Sequence, residues 1–129
     1  MTSEEAIERI PYALFLGIRT DTGSDGRVCV LPFRDELIGN SWLPALHGGV
    51  VGAFLELTAF VQLFAQTTGN RVPRPINFAT DFLRSVGPHE TRCRAEIVKL
   101  GRRIANVRVV AWQADETKPV AAGIGNFLL

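Results

Sequence analysis

One carboxylate, two glycines and a histidine carry the chemistry this sequence could do. In "LHGGVVGAFLELTAF", from Leu46 to Phe60, a nearly all-apolar run opens on His47-Gly48-Gly49 and holds a single acid, Glu56. A buried, unpaired carboxylate is costly, so its presence calls for a reason. Glycine lets a ligand approach the backbone closely. The first turn of a helix offers unpaired N–H groups at the positive end of the helix dipole. Such donors can hold a carbonyl oxygen as it gains negative charge. A carboxylate about two turns further along could activate water or attack the acyl carbon itself. Electrophile clamp plus carboxylate is the outline of an acyl-transfer site.

The helical wheel sharpens the question. Val50, Val51, Phe54, Leu55, Leu57, Val61 and Leu63 cover nearly every direction of the helix. Thr58 and Gln62 lie one turn apart and make a polar stripe of their own. Glu56 is not in that stripe, because six residues from Glu56 to Gln62 rotate by about 240°. Glu56 is therefore either buried or facing a cavity. The bland alternatives are that the glycines are loop residues and that His47 is a capping or core histidine.

The rest of the chain must position this helix. Ser3 followed by Glu4 and Glu5 reads as a capped helix start, and Pro11 as its end. Ala13 to Thr20 and Arg27 to Phe33 read as two strands around a turn from Asp21 to Gly26. A long connection, Arg34 to Leu46, leads to a helix from about His47 to Thr68, ended by Gly69-Asn70. The last third alternates like an antiparallel sheet. Its strands are Ile76 to Leu83, Thr91 to Leu100, Ile104 to Gln113 and Val120 to Leu129, with turns at Gly101-Arg102-Arg103 and Asp115 to Pro119. The expected fold class is α+β: one long central helix wrapped by a curved antiparallel sheet, in a single domain spanning 1–129.

Composition narrows the function classes. Hydrophobic residues make up 47% and charged residues 21%, enough for a packed core. A net charge of +1, from 14 basic and 13 acidic side chains, gives no electrostatic case for binding nucleic acid. Cys29 and Cys93 sit far apart without a Cys-x-x-Cys pattern and read as reduced, buried thiols of a cytoplasmic protein. The N-terminus lacks the basic and apolar regions of a signal peptide. The apolar run from Val50 to Ala65 is broken by Glu56, Thr58 and Gln62 and falls short of a membrane span of roughly 20 residues. No metal site and no membrane partner are expected.

His47-Gly48-Gly49, an apolar helix and an acid nine positions after the histidine (56 − 47 = 9) together resemble the hotdog-fold acyl-CoA thioesterases. The nearest branch is the phenylacetate-degradation (PaaI-like) group, with the 4-hydroxybenzoyl-CoA thioesterases that use a helical glutamate. "IPYALFLGIRT", "INFATDFLRS", "AEIVKLGRRIANVRVVAWQ" and "AAGIGNFLL" resemble the family's opening, the strand after its helix, its hairpin and its closing strand.

The resemblance implies a hotdog fold and hydrolysis of an acyl-CoA to free acid and CoA, with no cofactor besides the CoA of the substrate. Glu56 would be the catalytic carboxylate, as general base or nucleophile. The Gly49 N–H would polarise the thioester carbonyl, Gly48 would allow close approach, and His47 would orient the loop. The site would lie between two subunits of a homodimer, with a dimer of dimers as the next level. Arg84, Arg102 and Arg103 fall where relatives place basic residues near CoA. Two positions depart from the pattern. Ser41 stands where many relatives carry Asn or Gln, with Asn40 adjacent, and Phe60 stands where glutamate-type relatives often carry Ser or Thr. Asn40, Ser41 and Phe60 are thus candidate substrate contacts. Two other readings stand beside hydrolysis: an enoyl-thioester hydratase or dehydratase, and a non-catalytic acyl-CoA-binding module.

Overall fold

In the computed structural model, residues 1–21, 23, 27–67 and 71–129 are described. The chain opens with two short helices, α1 (Ser3–Glu8) and α2 (Pro11–Leu16), followed by β1 (Arg19–Thr20) and β2 (Val28–Leu31). A 3-10 turn (Asp35–Leu37) and a small hairpin, β3 (Ile38–Asn40) and β4 (Ala45–Leu46), lead into the long helix α3 (Gly48–Gln66). Four strands finish the chain: β5 (Arg74–Phe82), β6 (Thr91–Leu100), β7 (Ile104–Trp112) and β8 (Ala121–Leu128).

The six long-range strands form one antiparallel sheet in the order β1-β2-β6-β7-β8-β5. It curves around α3, which is the hotdog architecture expected from the sequence. Small residues on the inner face explain how a helix can sit so close. Ala95, Ala105, Ala111 and Ala121 are buried there, interleaved with Cys93, Val107, Val109 and Phe127. Against them α3 buries Val51, Phe54, Leu55, Thr58, Ala59, Val61, Leu63 and Phe64. By length and composition α3 would suffice to cross a membrane, contrary to the expectation of a shorter run. About half of it is buried in this structure: 44% of its apolar window lies in the core.

The N-terminal third departs most from the sequence reading. Pro11 does not end a helix. It starts α2, where its fixed φ suits the first helical position and its missing N–H costs nothing. The first half of the expected strand from Ala13 to Thr20 is therefore helix, and only Arg19–Thr20 is strand. Gly17, at φ 75°, ends α2 in the left-handed conformation that glycine adopts freely. Ala13 and Leu16 are the buried positions, at helical rather than alternating spacing. The cap of α1 is Thr2 rather than Ser3: its hydroxyl accepts from Glu5 N–H while the Glu5 carboxylate accepts from Thr2 N–H. Most of the expected Asp21–Gly26 turn, and the Gly69-Asn70 helix stop, lie outside the described residues. The helix itself ends at Gln66, with Thr67 as its cap.

Candidate active site

The site is built where the β3–β4 hairpin delivers the chain into α3. His47 N–H donates to the Leu37 carbonyl at 2.8 Å, and Leu46 N–H donates to the Val86 carbonyl at 2.8 Å. A Cβ on Gly39 would meet the His47 backbone at 2.8 Å, so the hairpin can only close on His47 with glycine there. His47 is the N-cap of α3: its Nδ1 accepts from the Gly49 N–H at 2.9 Å. A neutral imidazole accepting at Nδ1 carries its proton on Nε2. The Gly49 N–H assigned to the thioester is thus occupied in this state. The Gly48 N–H makes no hydrogen bond among the described residues and remains a free first-turn donor.

From Gly48 a stripe of positions four residues apart runs down one face of α3: Gly48, Gly52, Glu56 and Phe60. The face looks toward β5. A Cβ on Gly48 would come 3.7 Å from the Phe82 ring, and one on Gly52 would come 4.0 Å from the Thr80 hydroxyl. Both are ordinary van der Waals distances, so packing in this structure does not require glycine at Gly52. An interior helical glycine costs about 1 kcal/mol relative to alanine, and here nothing in the fold offsets it.

Glu56 sits at the lower end of this stripe, half-buried, in a concavity of about 400 Å3. The other walls are Leu57 and Phe60 from α3, Arg9 and Ile10 from the α1–α2 link, Pro11 from the start of α2, Pro75 from β5 and Phe127 from β8. The acid thus faces a mostly apolar cavity, the second of the two alternatives left open by the wheel. Phe60 leans on Phe64, ring centroids 5.5 Å apart, and forms the wall one turn below Glu56. No group of three His, Cys, Asp or Glu side chains among the described residues is arranged to hold a metal.

The remaining candidates separate. Asn40 is exposed and its Oδ1 accepts from Trp42 N–H at 3.0 Å, which holds the hairpin turn. Ser41 is exposed in the same turn. Arg84 donates through Nη1 to the Pro119 carbonyl at 2.6 Å and ties two loops together. Arg102 and Arg103 line a different concavity, about 730 Å3, with Arg71 and the end of α3 at Gln66 and Thr67. The sequence reading missed Gly52, Arg9 and the β5 residues Thr80 and Phe82. Gly52 was findable, because an interior helical glycine one turn from both Gly48 and Glu56 is a signal in itself.

The opposite face of α3 is closed. Thr58 is 1% exposed and donates to the Phe54 carbonyl at 2.8 Å. It stands beside Cys29 and Cys93, which face each other across β2 and β6. Burial pushes the Cys29 thiol up to about 11 and the Cys93 thiol further still, with the Thr58 hydroxyl offsetting part of the rise. Both are free, buried core thiols, as expected.

A helix wrapped by an antiparallel sheet, with a carboxylate facing a cavity beneath a glycine-opened helix start, defines a hotdog protein of the thioester-handling class. The comparisons agree. Residues 39–128 match the family described as acyl-CoA thioesterase N-terminal domain, and the chain belongs to that family. Thioester hydrolysis is its general chemistry. A Chromobacterium violaceum protein is 34% identical over 97% of this chain and 87% of its own, with a TM-score of 0.76. A phenylacetic acid degradation-related protein from Ralstonia eutropha shares 21% identity over 98% of both chains, TM-score 0.83. A Bacillus halodurans protein solved with CoA shares 20% identity over 96% of this chain and 80% of its own, TM-score 0.79. At that identity the last two speak for the fold. No curated protein matches the chain.

Proposed function

We propose that Glu56 is the carboxylate that drives hydrolysis of an acyl-CoA. The observation that carries this is its place in an apolar cavity at the end of the Gly48–Gly52 stripe, two helical turns below a free first-turn N–H. As a base, Glu56 takes a proton from water as the water oxygen attacks the acyl carbon. As a nucleophile, it forms an anhydride that water then opens. In the base route a C–O bond to the water oxygen forms, the C–S bond breaks, and Glu56 hands the proton to the departing CoA sulfur. In the nucleophile route CoA leaves as the thiolate when the acyl–Glu56 C–O bond forms, and the water that opens the anhydride frees Glu56 and releases the proton that the thiolate takes up. Gly48 lies eight residues before Glu56 (56 − 48 = 8), about 12 Å along the helix axis. The acyl carbon at Glu56 therefore takes its oxyanion donors from the helix start of a second copy, where the free Gly48 N–H is joined by the Gly49 N–H once the His47 imidazole turns away.

The CoA nucleotide extends toward Arg102 and Arg103, whose guanidinium groups, with Arg71 beside them, suit phosphate. The ten residues from Glu56 to Gln66 span about 15 Å along the helix axis, a distance suited to the pantetheine arm. The subunit pairs with a second copy through β5. Among the described strands this nine-residue strand pairs with β8 alone and ends the sheet, and it exposes Ile76 and Phe82. Long unprotected edges of this kind are rarely left open.

A panel of acyl-CoAs with thiol release as readout tests the reading, using wild type, Glu56→Ala and Glu56→Gln. Undiminished hydrolysis by the alanine variant would remove Glu56 from the mechanism. Tight binding of the esters by wild type without any turnover would favour a binding module instead.

A further inference from the structure

Among the residues that line the Glu56 cavity is a cation, Arg9, and the hydrolytic chemistry does not use it. Arg9 caps the C-terminal end of α1, its N–H bonded to the Ala6 carbonyl at 3.1 Å. Ala6 and Ile7 are buried in the core with α3, so this backbone is held in place. The Arg9 side chain, by contrast, is exposed, and no acid lies within ion-pair distance of it among the described residues. Of the acids of α1, Glu8 is exposed beside Arg9 and forms no ion pair with it, and the other two have other partners. Glu4 accepts from the Thr20 hydroxyl, and Glu5 accepts from Thr2 N–H. Among the described residues lining the cavity the only other charged side chain is Glu56, and the two do not form an ion pair.

A cavity with apolar walls, an acid at one place and an unpaired guanidinium at another sorts ligands by charge as well as size. Building on the hydrolase reading of the same cavity, we propose that Arg9 selects acyl groups with an apolar stem and a distal carboxylate. The thioester lies at Glu56. The stem runs along Leu57, Phe60, Pro75 and Phe127, and the distal carboxylate pairs with the Arg9 guanidinium, whose fork suits two carboxylate oxygens. Glu56 contributes by repulsion, since it disfavours the reversed pose that would put the anionic end beside it.

The test compares kcat/KM for pairs of acyl-CoAs of equal chain length, one ending in methyl and one in carboxylate, over a series of lengths. Wild type should favour the carboxylate-ended member by about tenfold at the length that reaches Arg9, the magnitude of one partly solvated charged hydrogen bond. Arg9→Ala should bring the ratio toward one, Arg9→Lys should keep part of it, and Arg9→Glu should reverse it. Circular dichroism checks that each variant is folded. The readout is a ratio, so a general loss of packing would not produce this pattern. A wild-type ratio near one at every length, or a ratio unchanged in Arg9→Ala, overturns the assignment of Arg9 and leaves hydrolysis standing. If wild type hydrolyses no member of either series, the hydrolase reading falls and this inference falls with it.

Discussion

Glu56 and Thr58 stand two residues apart on α3 and live in opposite surroundings. Thr58 is sealed against the sheet, its hydroxyl satisfied by the Phe54 carbonyl of its own helix. Glu56 is half-buried, makes no hydrogen bond or ion pair among the described residues, and faces a cavity. Two residues on a helix rotate by about 200°, so the two side chains report on opposite faces. The Thr58 face carries bulky side chains and buried thiols. The Glu56 face carries Gly48 and Gly52. One face holds the fold together, and the other gives up helix stability to leave room.

The strongest way to break this contrast is to remove the carboxylate. Glu56→Ala is expected to lower kcat for acyl-CoA hydrolysis by about a thousandfold, on the order of 4 kcal/mol of transition-state stabilisation. Because Glu56 has no partner to lose, its melting temperature should stay near that of wild type. A variant that loses activity by unfolding would instead place Glu56 among the groups that hold the fold.

Next in size is filling the stripe. Gly52→Leu puts a side chain into the gap between α3 and β5, where only the Thr80 hydroxyl comes near. The expected result is a fall in kcat/KM of about a hundredfold with the fold retained, since a 1 Å misplacement of substrate alone can cost that much. Steady-state kinetics beside a thermal melt measure the two separately.

The closed face should answer in the reverse sense. Thr58→Val keeps the shape and deletes a hydroxyl that donates to a carbonyl already inside the helix. It should cost about 1 kcal/mol of stability by urea denaturation. KM and kcat should not move. A change in kinetics larger than the change in stability would mean the two faces are coupled.

The same contrast decides what was legible in the sequence. The long helix and strands β6–β8 follow from periodicity, because each buries one face and the apolar residues repeat accordingly, whereas β5 keeps the alternation with its apolar residues exposed or only partly buried. Glu56 was legible as an anomaly in an apolar run. The Pro11 segment was misread because proline stops a helix or starts one, and only the αL turn at Gly17 and the buried Ala13–Leu16 pair settle which. The engagement of the Gly49 N–H by His47 Nδ1 is a matter of one rotamer, which no residue spacing encodes. Arg9 joins the cavity because α1 packs onto α3, which brings to one cavity two residues 47 positions apart (56 − 9 = 47). Gly52 was in plain view, but a lone glycine in a helix is ambiguous until its neighbours show that packing does not need it.

That ambiguity gives the smallest and most discriminating test. In Gly52→Ala the new Cβ would meet nothing closer than the Thr80 hydroxyl at 4.0 Å, an ordinary contact. The helix gains a better former and the unfolded chain loses freedom, so stability should rise by about 0.5–1 kcal/mol. If glycine is there to leave room for substrate, activity should fall while stability rises. If stability falls instead, α3 and β5 pack more closely at Gly52 than this structure has them, and the open face is not open there. If stability rises and kinetics are unchanged for every ester, the glycine leaves space that substrate does not use. The substrate path must then run from the helix start to Glu56 on the Phe82 side of the stripe.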